Sequence, residues 1–297
     1  MRYIFIINGR EDKRPVREEV ERQVAAAGID TEIYVTNGIG DGTRYVHLWC
    51  DLHRNMTACF VACGGSGTAN EVASGIVGHD DMCMAYWAVG GTNDFCKYYP
   101  GRDFTTLQGI LKGEHAHIDV LRANDCYAIN MINSGFSAVC AAEVNRLIED
   151  GVSNPYRKGV ARTIFSKRNS RVSITIDGRK LKWRRMYMCD LANGNYTGSM
   201  FLPAPDAVID DGFMDVLFIR PMTLPLVPLA IKYYKHGTYA SSIMRHWFKT
   251  MRASRVEMTS RDLITLSLDG EILAGTSFVF DVLPKALDII LPKESNI

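Results

Sequence analysis

Two short glycine-rich stretches carry the residue types that phosphate chemistry needs. CGGSGTANEVASGI spans residues 63–76 and GGTNDF spans residues 90–95, each after an apolar run. Gly64, Gly65 and Gly67 can take positive φ and let the backbone approach a ligand closely. Ser66 lies among them, and Thr68, Asn70 and Glu71 lead into a helix whose N-terminal amides favour phosphate. A glycine-rich strand-to-helix turn is also a plain structural turn. The second stretch supplies Gly90, Gly91, Thr92, Asn93 and Asp94. If both turns close strands of one sheet, amides, a hydroxyl and a carboxylate collect on one edge.

Two acidic pairs lie far downstream. IDDG sets Asp210 and Asp211 beside a glycine turn, where carboxylates and carbonyls could surround a hard cation; an ordinary Asp-Gly turn is the competing reading. SLDGE places Asp269 and Glu271 two apart, so on an extended strand both carboxylates project from one face. A hairpin turn explains Asp269-Gly270 equally well.

The elements that must position these groups follow from periodicity. Residues 3–7 form an uninterrupted apolar run ending at Asn8-Gly9, as in a parallel strand buried on both faces. Val16, Val20, Val24 and Ala27 recur at helical spacing, and Gly28 can close that helix. Strands are expected over 32–35, 57–63 and 82–89, with a weaker helix over 43–52. Strands alternating with helices imply a doubly wound parallel sheet, whose ligands collect at the carboxyl ends of strands. From residue 124 the texture turns to short β-type runs at 126–132, 171–176, 186–192 and 214–219, with Asp177-Gly178 as a hairpin signal. Helical excursions are expected near 141–165 and 225–251, and final strands at 278–282 and 287–291.

The chain has 297 residues, which favours two domains, and its composition is that of an ordinary globular protein. The expected division is an α/β domain over 1–121, joined again by 286–297, and a mainly antiparallel β-sandwich domain over 122–285. A formal charge of +1 gives no overall field to hold nucleic acid or an anionic membrane. The eight cysteines show no CxxC pair and no matching histidine spacing, so they read as buried, reduced thiols. MRYIFIINGRED turns charged too early for a signal peptide, and no apolar run approaches the roughly 20 residues needed to cross a bilayer. The expected location is the cytoplasm.

The residues also resemble a known family. GGSGTANEVASGI is similar to the GGDGTxNEVxNG signature of diacylglycerol kinase catalytic domains, and GGTNDF to their GTxNDF element. INMINSGFSAV resembles the family's Asn-x-x-Ser-x-Gly-Phe segment, and NPYRKGVARTIF the stretch carrying a family lysine, here Lys158. LANGNYTGSMFLPAPDAVIDDGFMDVLFI resembles the segment ending in Pro-x-Ala-x-x-Asp-Asp-Gly, and SLDGE the element ending in Asp-Gly-Glu. The order of these motifs covers nearly the whole chain.

The resemblance implies a lipid kinase that uses ATP and Mg. Asn8, Thr36, Gly64–Thr68, Glu71 and Gly91–Asp94 would surround the nucleotide. Asp210 and Asp211 would organise Mg, and Asp269 or Glu271 would accept the proton of the lipid hydroxyl. Diacylglycerol is the expected type of substrate, met at a membrane surface. Ser66 departs from the family pattern, which has Asp there, and the Asn-Pro loop of the family is reduced to Asn8-Gly9-Arg10. Two alternatives remain: a nucleotide- or lipid-binding regulator impaired by that change, and an NAD kinase-like enzyme. The basic stretch over 167–185 could rest on anionic headgroups, at about 1 kcal/mol per cation, or be a solvated hairpin. Residues 231–248, with Tyr233, Tyr234, Trp247 and Phe248, could dip into an interface but suit a core equally. The sequence leaves oligomeric state open, a homodimer included.

Overall fold

A computed structural model of the protein describes residues 1–10, 13–91, 93–164, 170–182 and 185–294. The chain divides into two compact units, Met1–Val120 with Pro284–Ile297, and Leu121–Leu283.

The first unit alternates strand and helix: β1 (Arg2–Ile7), α1 (Arg14–Ala27), β2 (Thr31–Val35), α2 (Asp41–Leu52), β3 (Ala58–Gly64), α3 (Ser66–Ile76), β4 (Met82–Ala88), α4 (Leu107–Leu111) and β5 (Glu114–Ala123). Its parallel strands lie in the order β2-β1-β3-β4, and the end of the last strand, β15 (Glu271–Leu291), runs parallel beside β4. Both faces of the sheet are covered. Phe5, Cys59, Val61 and Trp87 on one face pack against Val20 and Val24 of α1 and Leu107 and Ile110 of α4. On the other face Trp49 of α2 meets Phe60 edge-on. That is why β3 and β4 read as unbroken apolar runs: every residue of both is buried. Pro15 lies in the first turn of α1, and Gly28 closes the helix at φ 60°.

The second unit contains β6 (Cys126–Ala128), β7 (Met131–Gly135), α5 (Phe136–Glu149), α6 (Pro155–Ile164), β8 (Ser170–Ile176), β9 (Arg179–Lys180), β10 (Arg185–Met186), β11 (Met188–Ala192), β12 (Met214–Ile219), α7 (Val227–His236), β13 (Phe248–Ala253) and β14 (Arg255–Leu268). Antiparallel pairing runs β13-β12-β11-β7-β14. The ladder between β14 and β15 shifts register between Thr259 and Ile264. On its other edge, the first half of β14 pairs with β8 and the second half with β7, so one strand serves two layers. Ile174, Met186, Leu191, Val216, Met258 and Phe280 belong to the core these layers share. The architecture is therefore an α/β domain followed by a β-sandwich-like domain, the class expected from the sequence.

Several elements differ from expectation. The run over 126–132 breaks into β6 and β7, because Ile129, Asn130 and Met131 donate their amides to the Asp269 carboxylate. The first helical excursion begins earlier and is two helices; residue 165 lies outside the described residues. In the second, Gly237 at φ 65° stops α7, and residues 248–253 form a strand paired with β12. The two final strands are one, β15, with Lys285 at φ 51° and its amide held by Asp119 at 2.7 Å. Of the cysteines, Cys126 is exposed, and Cys96 and Cys140 are half-buried.

Candidate active site

In the first unit the carboxyl ends of β1, β2, β3 and β4 line one edge. The order of the sheet reverses between β1 and β3, which is where open α/β sheets take ligands. Asn8 follows β1, and its Oδ1 accepts the Arg10 amide at 3.0 Å. Thr36 follows β2; its amide reaches the Ile7 carbonyl at 2.9 Å and its Oγ1 accepts the Gly9 amide at 3.3 Å. The two glycine turns then meet backbone to backbone. Gly90 donates its amide to the Gly64 carbonyl at 2.9 Å, and a Cβ on Gly90 would lie 2.4 Å from the Gly65 nitrogen. Only glycine permits that approach.

Helix α3 starts at Ser66 from the extended Gly65, and no side chain caps it. Thr68 packs back on Gly64, where an added Cβ would lie 2.3 Å from Thr68 Oγ1. Gly67 is exposed, with nothing within 4 Å of the position its Cβ would take. Asn70, 1% exposed, has neither its Oδ1 nor its Nδ2 paired among the described residues. A buried amide without partners is costly, so it marks a place where a ligand would supply them. In the second turn Asn93 accepts from the Tyr86 hydroxyl at 2.8 Å and donates to the Gly90 carbonyl at 3.0 Å. Gly91 is exposed beside it, and buried Asp94 pairs with Lys97 at 2.9 Å. Thr92 lies outside the described residues. Glu71 faces away from this cradle, since its carboxylate accepts the Gly40 and Gly42 amides at 3.0 and 2.9 Å and so ties the start of α2 to α3. These features fit a nucleotide's phosphates: a close-approach cradle, an uncapped helix start and an unpaired buried amide.

The acidic positions of the second unit are arranged differently from the sequence expectation. Asp269 and Gly270 are a two-residue turn with φ 49° and 105° between β14 and β15, so Asp269 and Glu271 do not share the face of an extended strand. The Asp269 carboxylate turns back to accept the Ile129, Asn130 and Met131 amides at 2.8, 3.1 and 2.8 Å. A carboxylate holding three backbone amides is a structural acceptor. Asn145 Nδ2 pins the same turn through the Gly270 carbonyl at 2.9 Å. Glu271 begins β15 with its side chain exposed, and its charge, after burial, pushes up the thiol of Cys126. Glu271 is thus the exposed acid of the pair.

Asp211 Oδ1 accepts the Phe213 amide at 3.0 Å, and its Oδ2 pairs with Arg252. Asp210 is exposed. One carboxylate already joined to an arginine and one in solvent do not make a cation cage by themselves. They fit Mg only where other oxygens and water complete its shell. Beside this loop is a cavity of about 260 Å³ lined by Asp206, Asp215, Tyr239 and Arg252 among others.

A buried polar network here was not anticipated. Asp190 is fully buried and accepts from Asn133 Nδ2 at 2.8 Å, Ser137 Oγ at 2.9 Å and the Tyr234 hydroxyl at 2.9 Å. Burial pushes its carboxyl up to about 6 despite those three donors. Close by in the chain, Asn130 Oδ1 is buried and unpaired, and a Cβ on Gly194 would lie 2.1 Å from it. The NSG and NGN motifs were the available signals. The aromatic stripe of 231–248 is core: Tyr234 reaches Asp190, Phe248 stacks on Tyr239, and Tyr233 and Trp247 pack against them. The basic stretch 167–185 is described only in part, as the β8–β9 hairpin turning at Asp177-Gly178. Among the described residues no helix is long and apolar enough to cross a membrane.

Comparison with known proteins agrees with this layout. Residues 2–123 match the model of the diacylglycerol kinase catalytic domain. Residues 130–291 match that of the YegS C-terminal NAD kinase beta sandwich-like domain. Two curated relatives, from Yersinia pestis (strain Pestoides F) and Yersinia pseudotuberculosis serotype O:1b (strain IP 31758), are each named "Probable lipid kinase YegS-like". Each is 28% identical over 97% of this chain and 96% of its own length. A crystal structure of a diacylglycerol kinase from Bacillus anthracis str. Sterne superposes with a TM-score of 0.69 at 20% identity, covering 98% of this chain and 96% of that one. At that identity it shows the shared fold. With one family model matching each half, the chain belongs to the diacylglycerol kinase catalytic-domain family, in the form that carries a YegS-type C-terminal domain.

Proposed function

We propose that the protein is a lipid kinase that moves the γ-phosphate of ATP onto a lipid hydroxyl, with a diacylglycerol-type substrate. The observation that carries this reading is the backbone contact between Gly64 and Gly90 at the switch point of the sheet, with the unpaired Asn70 amide one turn into α3. The Gly65–Thr68 amides and the start of α3 bind phosphate, and Asn93 braces the second turn. Transfer is direct and in line, so positioning and charge stabilisation do most of the work. Glu271 accepts or orients the hydroxyl proton, and Asp269 holds the turn that presents it. Mg, when bound with ATP, neutralises phosphate charge, with Asp210 the exposed carboxylate available to it. The substrate is met at a membrane surface, the enzyme working from the aqueous side.

The test is a labelled-ATP assay of the purified chain against diacylglycerol, sphingoid base, phosphatidylglycerol and NAD, with products identified by mass spectrometry. Label on diacylglycerol is the expected result; label on NAD alone rejects the lipid reading. Ser66, in the place of the family Asp, favours a second reading, a regulator that binds nucleotide or lipid without turnover. Nucleotide binding with no labelled product from any acceptor would support it.

A further inference from the structure

We propose that Cys83, His115 and Asp288, brought together at the amino-terminal edge of the first unit's sheet, form a binding site for a zinc ion. The site is independent of the phosphoryl-transfer reading. Cys83 is the second residue of β4 and lies in register with Cys59 on β3 and Asp288 on β15. In-register neighbours on parallel strands point to the same face, so three separate stretches of chain deliver donors to one spot. His115, second in β5, brings its Nδ1 to 2.8 Å from Asp288 Oδ2. The thiol, imidazole and carboxylate ligand atoms all lie within 4.8 Å of one another, and among the described residues no other set of three does so.

A second observation points the same way. Asp288 Oδ1 is buried with no hydrogen-bond partner, an acceptor for which the protein supplies no donor. Further soft donors adjoin: Met1 Sδ is 3.8 Å from Cys83 Sγ, and the fully buried Cys59 thiol is hydrogen-bonded to Cys83.

The donor set selects the metal. Sulfur, imidazole nitrogen and one carboxylate suit zinc, whereas Mg and Ca require oxygen shells. Tetrahedral zinc, with bonds of about 2.0–2.3 Å, needs its ligands roughly 3.5 Å apart, so the cluster must contract by about 1 Å. On binding, the Cys83 thiol proton leaves to solvent and sulfur takes the metal. His115, whose Nδ1 shares a proton with Asp288, takes the tautomer protonated on Nε2 so that Nδ1 is open to the metal, and the hydrogen bond between His115 and Asp288 gives way to two metal bonds. Water or Cys59 completes the shell. His115, 47% exposed, is the entry side. The site lies at the start of β4, roughly 20 Å of strand from the Gly90 turn that follows its end. It would fasten β15 and β5 to the sheet without touching the phosphate cradle.

The experiment uses the full chain carrying Cys126→Ser, which removes the exposed thiol. The chelator-treated protein is titrated with Co²⁺ and then with Zn²⁺ against a chromophoric chelator. Expected are one Co²⁺ per chain with a thiolate charge-transfer band, displacement by Zn²⁺, and nucleotide affinity that metal leaves unchanged. His115→Ala, at an exposed position, should keep the fold yet weaken Zn²⁺ binding by more than about ten-fold, and Cys83→Ser should abolish the thiolate band. Absence of that band in the parent protein, or its persistence at full strength in Cys83→Ser, overturns the proposal.

Discussion

The amide of Gly90 and the carbonyl of Gly64 are joined by a 2.9 Å hydrogen bond, which fastens the two glycine turns into one surface. A Cβ at Gly90 would strike the Gly65 backbone, which cannot swing aside as a side chain would. Gly90→Ala should therefore separate the turns and weaken ATP binding by about ten-fold or more, about 1.4 kcal/mol or above. Gly67→Ala is the counterpart, since its Cβ meets no protein atom. It should leave the melting temperature unchanged while still weakening ATP binding, because the ligand lies where the methyl would go. Calorimetric titration and thermal melts on both variants check this.

Asp269 and Glu271 should separate by experiment. Asp269→Ala strips three backbone amides of their acceptor, at a cost of about 1–3 kcal/mol for each group left unsatisfied, and should lower the melting temperature strongly. Glu271→Gln removes an exposed carboxylate and should leave stability within about 0.5 kcal/mol. Its turnover should fall by about 10²–10⁴-fold with little change in ATP affinity. Full turnover in Glu271→Gln would remove it from the proton-transfer role.

How far the sequence could be read depends on which forces are local. Strands β1 to β4 and helices α1 to α3 of the first unit were legible because β3 and β4 are buried on both faces and give apolar runs of strand length between helical patterns, whereas α4 and β5 were not anticipated. Both Asp-Gly hairpins were legible because a two-residue turn demands positive φ. What was hidden depended on long-range partners. Nothing near Asp269 in the chain announces that its carboxylate will hold residues 129–131, and that capture both splits the strand there and occupies the Asp269 carboxylate. Glu71 sits inside the glycine-rich motif of residues 63–76, yet its carboxylate holds α2. Cys83, His115 and Asp288 are separated by scores of residues, so only strand register brings them together.

Stability should depend on pH through Asp190. Its carboxyl is raised from 3.8 to about 6, chiefly by burial, so the folded state holds its proton where the unfolded chain has released it. The stabilisation is complete below about pH 4 and is lost as pH rises to about 6, by roughly 3 kcal/mol at about 1.4 kcal/mol per unit. Asp41 and Glu143, each lowered to about 2 by their hydrogen bonds, act in the opposite sense and only as pH falls below about 4. Denaturant midpoints between pH 4.5 and 6.5 should thus decline in the natural chain, and the decline should flatten in Asp190→Asn. An equal slope in the variant would assign it to another group.

Ser66 decides between kinase and regulator. It opens α3 at the point where the family signature carries an acid, and Gly64 and Thr68 on either side of it keep their close contact. If the site is an active kinase whose remaining donors suffice, Ser66→Asp should change ATP turnover by less than about ten-fold, or 1.4 kcal/mol in the barrier. If catalysis has been lost because a charge that gathers cation and phosphate is missing, the restored carboxylate should raise turnover by about 10²-fold or more. Neutral Ser66→Asn separates shape from charge, because a gain seen with Asp and absent with Asn assigns the effect to the carboxylate.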